Sequence, residues 1–327
     1  MERREFIKKS TLAAGILSMS DLKLFGETMS EQGKSEHRPG FIPKRQYGKT
    51  DVMLSVIGFG GIVVKDAEQK TADKNVAKAV ERGVNYFDVA PSYGDAEIKL
   101  GPALEPYRKD VFLACKTAVR DYAGAKAEFE QSLKRLRTDH FDLYQLHAIT
   151  DVEKDVERVF AEDGAMKLFM EAKKDGRIRY LGFSAHSHEA ALAAMEWYDF
   201  DSVLFPVNFA GYLKGEFGQE VVKKAKEKDM AVLALKILAR QRAPEDDPVR
   251  RQYSKCWYQP ITDPDEAKLA MSFTLSQPVT VALPPGEEKL FTMALDLVSD
   301  LKAITEEQLK ELKVLASTLE PIFTNQV

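Results

Sequence analysis

The chain has 327 residues, 44% of them hydrophobic and 30% charged, and its formal net charge is −4. These values are typical of a globular protein with a sizeable core. The sequence has no basic stripe with interleaved aromatic residues, which argues against a nucleic-acid partner. Its two cysteines, Cys115 and Cys256, provide neither a disulfide framework nor a CxxC metal site. No apolar run reaches the roughly 18 residues that a membrane-spanning helix needs.

Residues 1–30 have the layout of an export signal, because a basic segment precedes a short apolar stretch, Thr11 to Met19. Arg3 and Arg4, followed by EFIKK, resemble the twin-arginine export motif. We therefore expect export to the periplasm, with a frayed, basic N-terminus on a cytoplasmic protein as the alternative. Residues 31–42 are polar and contain Gly, Ser and Pro, which is typical of a linker.

From about Pro43 onward, apolar strand candidates alternate with helical stretches. The eight candidate strands are SVIGFGG, VNYFDVA, VFLACKT, FDLYQLH, IRYLGFS, SVLFPVN, AVLALKI and VTVALPP. Between them, apolar residues recur at three- and four-residue spacing, as in Ala125 to Arg137 and His188 to Tyr198. This alternation indicates a parallel sheet covered by helices. Eight units without a domain break predict a single-domain (β/α)8 TIM barrel over residues 43–327.

An open, doubly wound sheet is the alternative fold. It is less favoured because no G-x-G-x-x-G helix start follows the first strand. The last stretch, TEEQLKELKVLASTL, has leucines on one face and predicts an extra C-terminal helix packed on the outside of the barrel. A contact between two copies through this helix stays open, so we expect a monomer or a homodimer.

Four polar residues follow three consecutive predicted strands at the point where each strand ends. Asp88 ends the second strand, and Tyr93 lies in the loop after it. Lys116 ends the third strand and His147 the fourth. Barrel enzymes carry their catalytic residues at the C-terminal ends of the strands, and these side chains are of the types that transfer protons. Each alone is compatible with a structural role, but together at one rim they predict an active site.

The chain resembles the aldo-keto reductase family over residues 43–323. PKRQYGKTDVMLSVIGFGG is similar to the β-hairpin and first strand that open those barrels, and NYFDVAPSYG to the D-x-A-x-x-Y-G element of the family. CKT and QLH match the elements that carry its lysine and histidine, and DGRIRYLGFSAHS matches the stretch running into its fifth strand. KCWYQPITDPDEA is most similar to a bacterial branch that includes twin-arginine exported members.

The resemblance implies a role for each of the four residues. Tyr93 would protonate the carbonyl oxygen as the general acid, and Lys116 would lower the pKa of its phenol. Asp88 would keep Lys116 charged and oriented. His147 would donate a hydrogen bond to the same oxygen and align the substrate.

The resemblance also implies a nicotinamide cofactor, NADP or NAD, whose contacts this sequence matches in part. Ala185 replaces the asparagine that follows the family's serine, Leu204 stands at the position of its glutamine, and Leu235 at that of its stacking aromatic residue. Trp257 or Phe209 would have to supply another stacking face. A barrel that no longer turns over a nicotinamide is the alternative. The candidate contacts before the phosphate turn are Gly61, Ser184, Asn208 and Lys236.

The segment LPPGEEKLF matches the family's phosphate-binding turn. Gly286 would let the backbone approach a nucleotide phosphate. Glu287 and Glu288 follow, and Lys289 is the one basic residue there. Two carboxylates would repel the 2′-phosphate of NADP, whereas a carboxylate can accept hydrogen bonds from the free 2′-hydroxyl of NAD. The family habit favours NADP and the local charges favour NAD, so both cofactors stay open.

A long loop, Ala239 to Pro264, is expected on the active-site rim. Its Trp257 and Tyr258 are the substrate-binding candidates, because an apolar stacking wall fits a sugar ring or an aromatic carbonyl compound. His186 and His188 form an isolated HxH pair, which is poor support for a metal site, and we expect no metal.

These patterns together predict an oxidoreductase that transfers a hydride between a nicotinamide cofactor and an aldehyde, ketone or sugar. A cofactor-sensing regulatory subunit without turnover is the alternative. If the protein is exported, we expect the nucleotide to stay bound through many turnovers, because free nicotinamide nucleotides are scarce outside the cytoplasm.

Overall fold

The computed structural model describes residues 42–325, and the export-signal prediction for residues 1–30 lies outside them. In chain order the strands are β1 (Lys44–Gln46), β2 (Met53–Ser55), β3 (Phe59–Gly60), β4 (Tyr86–Asp88), β5 (Phe112–Thr117), β6 (Phe141–Ile149), β7 (Ile178–Ala185), β8 (Ser202–Pro206), β9 (Ala231–Leu235), β10 (Ala239–Gln241), β11 (Gln259–Pro260) and β12 (Val281–Ala282).

The α-helices are α1 (Gln69–Glu81), α2 (Ala96–Leu104), α3 (Tyr122–Arg135), α4 (Ala165–Lys174), α5 (His188–Trp197), α6 (Phe209–Leu213), α7 (Gln219–Glu227), α8 (Pro248–Gln252), α9 (Pro264–Leu275), α10 (Glu288–Leu297) and α11 (Glu306–Thr318). Short 3-10 helices span Gly61–Val64, Glu105–Tyr107 and Val298–Asp300, and a π-helix spans Val152–Glu157.

Eight parallel strands form one sheet in the order β12-β9-β8-β7-β6-β5-β4-β3. The two edges of this sheet meet through a parallel bridge between Ile57 and Ala282. Ala282 N donates to Val56 O at 2.8 Å, and Gly58 N donates to Ala282 O at 3.0 Å. The sheet therefore closes, and the predicted (β/α)8 barrel is confirmed.

The β1–β2 hairpin covers the N-terminal end of the barrel, as predicted. The hydroxyl of Tyr47 donates to Ser202 Oγ at 2.8 Å. The guanidinium of Arg45 donates to the carbonyl oxygens of Leu275, at 2.6 Å, and Val279. The hairpin shares one buried cluster with the inner face of the barrel, which contains Tyr47, Leu54, Tyr86, Phe112, Leu143, Leu204, Leu233 and Val281.

The helices pack their apolar faces on the outside of the barrel. Helix α7 buries Val221, Val222 and Ala225 on one face. In the C-terminal helix α11, Leu312 is fully buried, which confirms its predicted packing. The long loop after β9 differs from the prediction, because it contains its own antiparallel pair, β10 and β11, and the short helix α8. No helix within residues 42–325 is long and apolar enough to cross a membrane.

Candidate active site

The alternation of side chains along the strands brings three polar residues into the barrel. Residues two apart share one face of a strand, so Asp88 on β4 points inward with Tyr86. On β5 the inward residue is Lys116, and on β6 it is Gln145, which pairs directly with Lys116 in the register of the two strands. These three side chains and that of Tyr86 are buried. The polar layer lies directly above the apolar interior cluster.

A buried ion pair joins two of the predicted catalytic residues. The ammonium of Lys116 binds Asp88 Oδ1 and also donates to Val89 O at 3.3 Å. The Lys116 side chain is 0% exposed and that of Asp88 is 3% exposed. Lys116 Nζ lies 3.5 Å from the phenolic oxygen of Tyr93. The structure thus brings Asp88, Lys116 and Tyr93 together in the predicted order.

Opposing effects set the pKa of Tyr93 and of Lys116. Burial raises the pKa of Tyr93, and the Lys116 ammonium acts in the opposite direction without cancelling that rise. Lys116 thus acts in the expected direction, but the net pKa of the phenol is raised, because desolvation disfavours the phenolate more than the lysine favours it. Burial lowers the pKa of Lys116, but the Asp88 carboxylate and the Tyr93 phenol together outweigh it and the net pKa is raised. At neutral pH the site holds a protonated phenol beside a charged ammonium.

A break in the regularity of β6 sets the position of His147. The register of β6 with β7 shifts between Leu146 and Ile149, and Ala148 has a φ of 55°. Irregular strand ends of this kind redirect side chains next to active sites. Ala148 N donates to Ser184 Oγ at 2.7 Å. This predicted cofactor contact therefore also holds the backbone after His147.

His147 lies beside Tyr93, with ring centroids 5.7 Å apart. Burial lowers the pKa of His147 to about 3, and the charges of Lys116 and Arg120 act in the same direction. Its imidazole is therefore neutral at pH 7. Its Nδ1 lies 3.4 Å from Ser92 Oγ. If the serine hydroxyl donates to Nδ1, Nε2 carries the proton and can donate to a substrate oxygen.

Next to His147 lies a wall formed by Lys236 with the rings of Trp257 and Tyr258, and by His186 with Phe323. The ammonium of Lys236 lies 5.2 Å from the ring centroid of Trp257 and 4.9 Å from that of Tyr258. His186 stacks on Phe323 with centroids 5.4 Å apart. Burial lowers the pKa of Lys236 to about 8, and burial together with the charge of Lys236 lowers that of His186 to about 4.

Two of the predicted aromatic contacts need correction. Trp257 is 50% exposed and is available to a ligand, but Tyr258 is 3% exposed and packs beneath it with Cys256 and Leu290. Tyr258 therefore supports the wall instead of lining it. Phe209 is fully buried at the start of α6 in the outer core. It cannot stack on a nicotinamide, which leaves Trp257 as the stacking candidate.

The charges at the rim fit the diphosphate of a nicotinamide nucleotide. No carboxylate among residues 42–325 forms an ion pair with Lys236, although its ammonium is largely withdrawn from water. Helix α10 starts without a side-chain cap, and Glu288 and Lys289 at this end are exposed. Unpaired backbone N–H groups at a helix start attract anions. These groups match an anionic ligand better than a neutral one.

The nicotinamide end has fewer polar groups. Leu204, which stands at the position of the family's glutamine, is 2% exposed in the interior cluster and offers no polar group. Ser184 offers its hydroxyl. Asn208 uses its side-chain oxygen to cap α6, accepting from Gly211 N at 2.8 Å. The residues thus fit the nucleotide as a whole, with weaker polar contacts at the ring than at the phosphates.

The two candidate glycines allow close packing between elements of the site. A Cβ on Gly61 would lie 2.8 Å from Val89 Cγ2, and a Cβ on Gly286 would lie 2.4 Å from Ile62 Cγ2. The space beside Gly286 is therefore filled by Ile62. Both glycines set how closely the strand ends approach each other.

The long loop crosses from β10 to the segment after β3. Lys255 Nζ donates to Ile62 O at 3.1 Å and to Val63 O at 3.0 Å. Lys255 N donates to Glu287 Oε1 at 2.7 Å. Glu287 thus already has a protein partner, whereas the Glu288 carboxylate makes no hydrogen bond or ion pair with residues 42–325. The HxH pair is also divided, because His188 binds Glu220 at 2.8 Å while His186 stacks on Phe323.

Several residues of the site were not predicted. Arg120 donates to His147 O at 2.7 Å and to Asp155 at 2.9 Å, so it fixes the backbone of the histidine. Phe323 comes from the C-terminal segment, which Asn325 ties to Gly215 O through a 2.7 Å hydrogen bond. No periodicity or motif marks either position. Within the described part of the chain, no group of three or more His, Cys, Asp or Glu side chains could hold a metal ion.

We expect Asp88→Asn and Lys116→Met each to lower the free energy of unfolding by about 3–5 kcal/mol, because each leaves an uncompensated buried charge. The double variant should be more stable than the less stable single variant, since neither charge remains. Urea unfolding monitored by circular dichroism checks this. Glu130→Gln, which breaks the exposed pair with Lys126, is the control and should leave stability nearly unchanged, because water and salt screen an exposed pair. Equal, small losses in all variants would contradict the prediction.

Known proteins resemble this chain in sequence and in fold. A sequence model described as "Aldo/keto reductase family" matches residues 56–315. The uncharacterized oxidoreductase YqkF of Bacillus subtilis is 34% identical over 156 residues, covering 43% of this chain and 48% of that protein. The methylglyoxal reductase YeaE of Escherichia coli is 39% identical over 103 residues, covering 30% and 36%. L-galactose dehydrogenase of Arabidopsis thaliana is 28% identical over 159 residues, covering 44% and 48%.

The matched segments span less than half the length of each of these three relatives. Among solved structures, the holo form of an aldo-keto reductase from Bacillus halodurans has a TM-score of 0.67 at 22% identity, covering 87% of this chain and 99% of that chain. This likeness shows a shared fold. Because the family match covers most of the sequence, the chain belongs to the aldo/keto reductase family.

Proposed function

We propose that the protein is a nicotinamide-dependent oxidoreductase that interconverts a carbonyl compound and its alcohol. The observation that carries this proposal is the phenol of Tyr93, 3.5 Å from a buried, ion-paired lysine and beside a neutral histidine. The names of two relatives, a methylglyoxal reductase and an L-galactose dehydrogenase, describe the two directions of this chemistry. Aldehydes, ketones and sugars are therefore the proposed substrate class.

Each catalytic residue has one task in this proposal. Tyr93 gives its proton to the carbonyl oxygen during reduction and recovers it during oxidation. Lys116 stabilises the phenolate that remains, and Asp88 keeps Lys116 charged and in place. His147, being neutral, donates a hydrogen bond to the same oxygen, as an oxyanion-hole group does. Trp257 would provide the exposed apolar surface for the substrate.

The residues proposed to hold the nucleotide lie at the ends of β3, β7, β8, β9 and β12. The bound nicotinamide would supply or accept the hydride. Lys236 and the start of α10, with Glu288 and Lys289, would face the phosphates and the ribose. Ser184 and Asn208 would lie toward the nicotinamide, and Gly61 and Gly286 would keep the strand ends close together. NADP and NAD are both candidates, because the exposed residues at the phosphate turn are one carboxylate, Glu288, and one ammonium, Lys289.

We also propose that the chain is a twin-arginine-exported member of its family and works in the periplasm. Arg3 and Arg4 before an apolar stretch support this. Export of a folded protein would carry the nucleotide along, and the reaction would then regenerate its own cofactor. Retention in the cytoplasm would remove the reason for a resident nucleotide.

Tyr93→Phe should reduce turnover of an aldehyde by about 10²- to 10⁴-fold, because it removes the proton donor and leaves the ring in place. Steady-state kinetics with added NADH or NADPH measures this, and thermal unfolding checks that the fold is unchanged. Tyr122→Phe, which removes the same group from the outer surface, is the control and should retain normal rates. Near-normal turnover in Tyr93→Phe would rule out this assignment.

The pH dependence follows from the raised pKa of Tyr93 and the pKa of about 3 for His147. Reduction needs the protonated phenol, so its rate should stay flat from pH 5 to 8 and fall only above the ordinary tyrosine pKa of about 10. Oxidation needs the phenolate and should accelerate as the pH rises. Kinetics in both directions tests this. An inflection near the ordinary histidine pKa of about 6.5, lost in His147→Gln, would contradict it.

Mass spectrometry of the small molecules released on denaturation should find near-stoichiometric NAD or NADP in the natively purified protein. Lys236→Met should release much less, because it removes the unpaired cation. Lys224→Met, on the outer helix α7, should release as much as the wild type. An empty site that reduces aldehydes would indicate an ordinary exchanging reductase. An empty site without nucleotide affinity would favour a binding or regulatory subunit.

A further inference from the structure

The carboxylate of Asp88 has a second oxygen, which does not bind Lys116. The hydroxyl of Tyr86 donates to Asp88 Oδ2 at 3.2 Å, and Gln145 Nε2 donates to the same atom at 3.2 Å. A carboxylate can only accept, so both neighbours must act as donors. Two neutral donors and one ammonium therefore surround a single charge.

Tyr86 and Gln145 are 0% exposed, so water does not replace them as donors to Asp88. Burial, reinforced by the charge of Asp88, raises the pKa of Tyr86 well above its ordinary value, and its hydroxyl stays protonated. The Oε1 atom of Gln145 has no hydrogen-bond partner among the described residues. A buried amide that leaves one oxygen unpaired costs free energy. The donor contact to Asp88 is the polar interaction that the glutamine does make.

We propose that Tyr86 and Gln145 are positioning residues for the proton transfer at Tyr93: they hold the Asp88 carboxylate oriented with Oδ1 toward Lys116. The inference rests on the proposed role of Tyr93 as the proton donor. The titratable groups that face Tyr93 are Asp88, Lys116, His147, Cys115 and Tyr86 itself. The two neutral donors offset part of the negative charge of Asp88. Without them, more of that charge cancels the electric field of the Lys116 ammonium at Tyr93, and the phenolate is less stabilised.

Tyr86→Phe is the main test, because it removes one hydroxyl and keeps the ring. In the pH profile of the rate of alcohol oxidation, the limb where the rate rises should move to higher pH by about one unit. Turnover at neutral pH should fall about tenfold, with little change in KM. Gln145→Leu should shift the limb in the same direction. In an Asp88→Asn background, Tyr86→Phe should have no further effect, because the charge it serves is gone.

Tyr47→Phe is the matched control. Tyr47 is also 0% exposed in the same interior cluster, but its hydroxyl donates to Ser202. It should lower thermal stability about as much as Tyr86→Phe and leave the pH profile in place. An equal shift in both variants would overturn the proposal, since it would reflect a general effect of loosening the interior.

A second readout does not depend on turnover. In protein labelled with ¹³Cζ-tyrosine, the Tyr93 signal is assigned by its loss in Tyr93→Phe, and its ionisation is followed by NMR as the pH rises. Tyr93 should ionise at higher pH in Tyr86→Phe than in the wild type. If the wild type shows no turnover, the proposed function fails while this measurement still tests the positioning role. An unchanged ionisation in both Tyr86→Phe and Gln145→Leu would overturn that role.

Discussion

Lys116 and Asp88 form an ion pair inside the barrel, where both side chains are almost fully withdrawn from solvent. Such a pair contributes little to stability compared with apolar residues of the same size, because both ions lose their hydration. Its presence fits the proposed chemistry, in which Lys116 would present a fixed positive charge to Tyr93, 3.5 Å away. Tyr86 and Gln145, held by their strands, donate hydrogen bonds to Asp88 and replace part of the hydration that the pair has lost.

The ion pair also contributes to the pKa of Tyr93. Burial makes the phenolate costly, and Lys116 offsets part of that cost. A phenol that remains protonated at neutral pH is suited to donating a proton, and the nearby ammonium lowers the cost of the charge left behind. In the proposed mechanism the neutral His147 would add a hydrogen bond without adding a second cation. Proton donation and charge stabilisation would therefore belong to different residues.

Much of this arrangement could be predicted from the sequence. Eight apolar strands separated by amphipathic helices give the barrel, and strand-end polar residues give the catalytic rim. Tyr86 and Gln145 could also have been predicted, because each lies two residues before Asp88 or His147 on an inward-facing strand position. The position of Phe323 could not, since it depends on how the C-terminal segment folds back. The pKa direction of Tyr93 depends on burial, which strand periodicity does not measure.

The positive charges near His147 favour an anionic ligand. His147 and His186 are neutral because burial lowers both pKa values, so Lys236 and Arg120 carry the positive charge there. Arg120 is paired with Asp155, whereas Lys236 contacts only aromatic faces among the groups described above. An ammonium kept from water without a carboxylate is costly, and an arriving anion relieves that cost. With Leu204 in place of an amide at the ring end, affinity for a dinucleotide would then depend mainly on its phosphates.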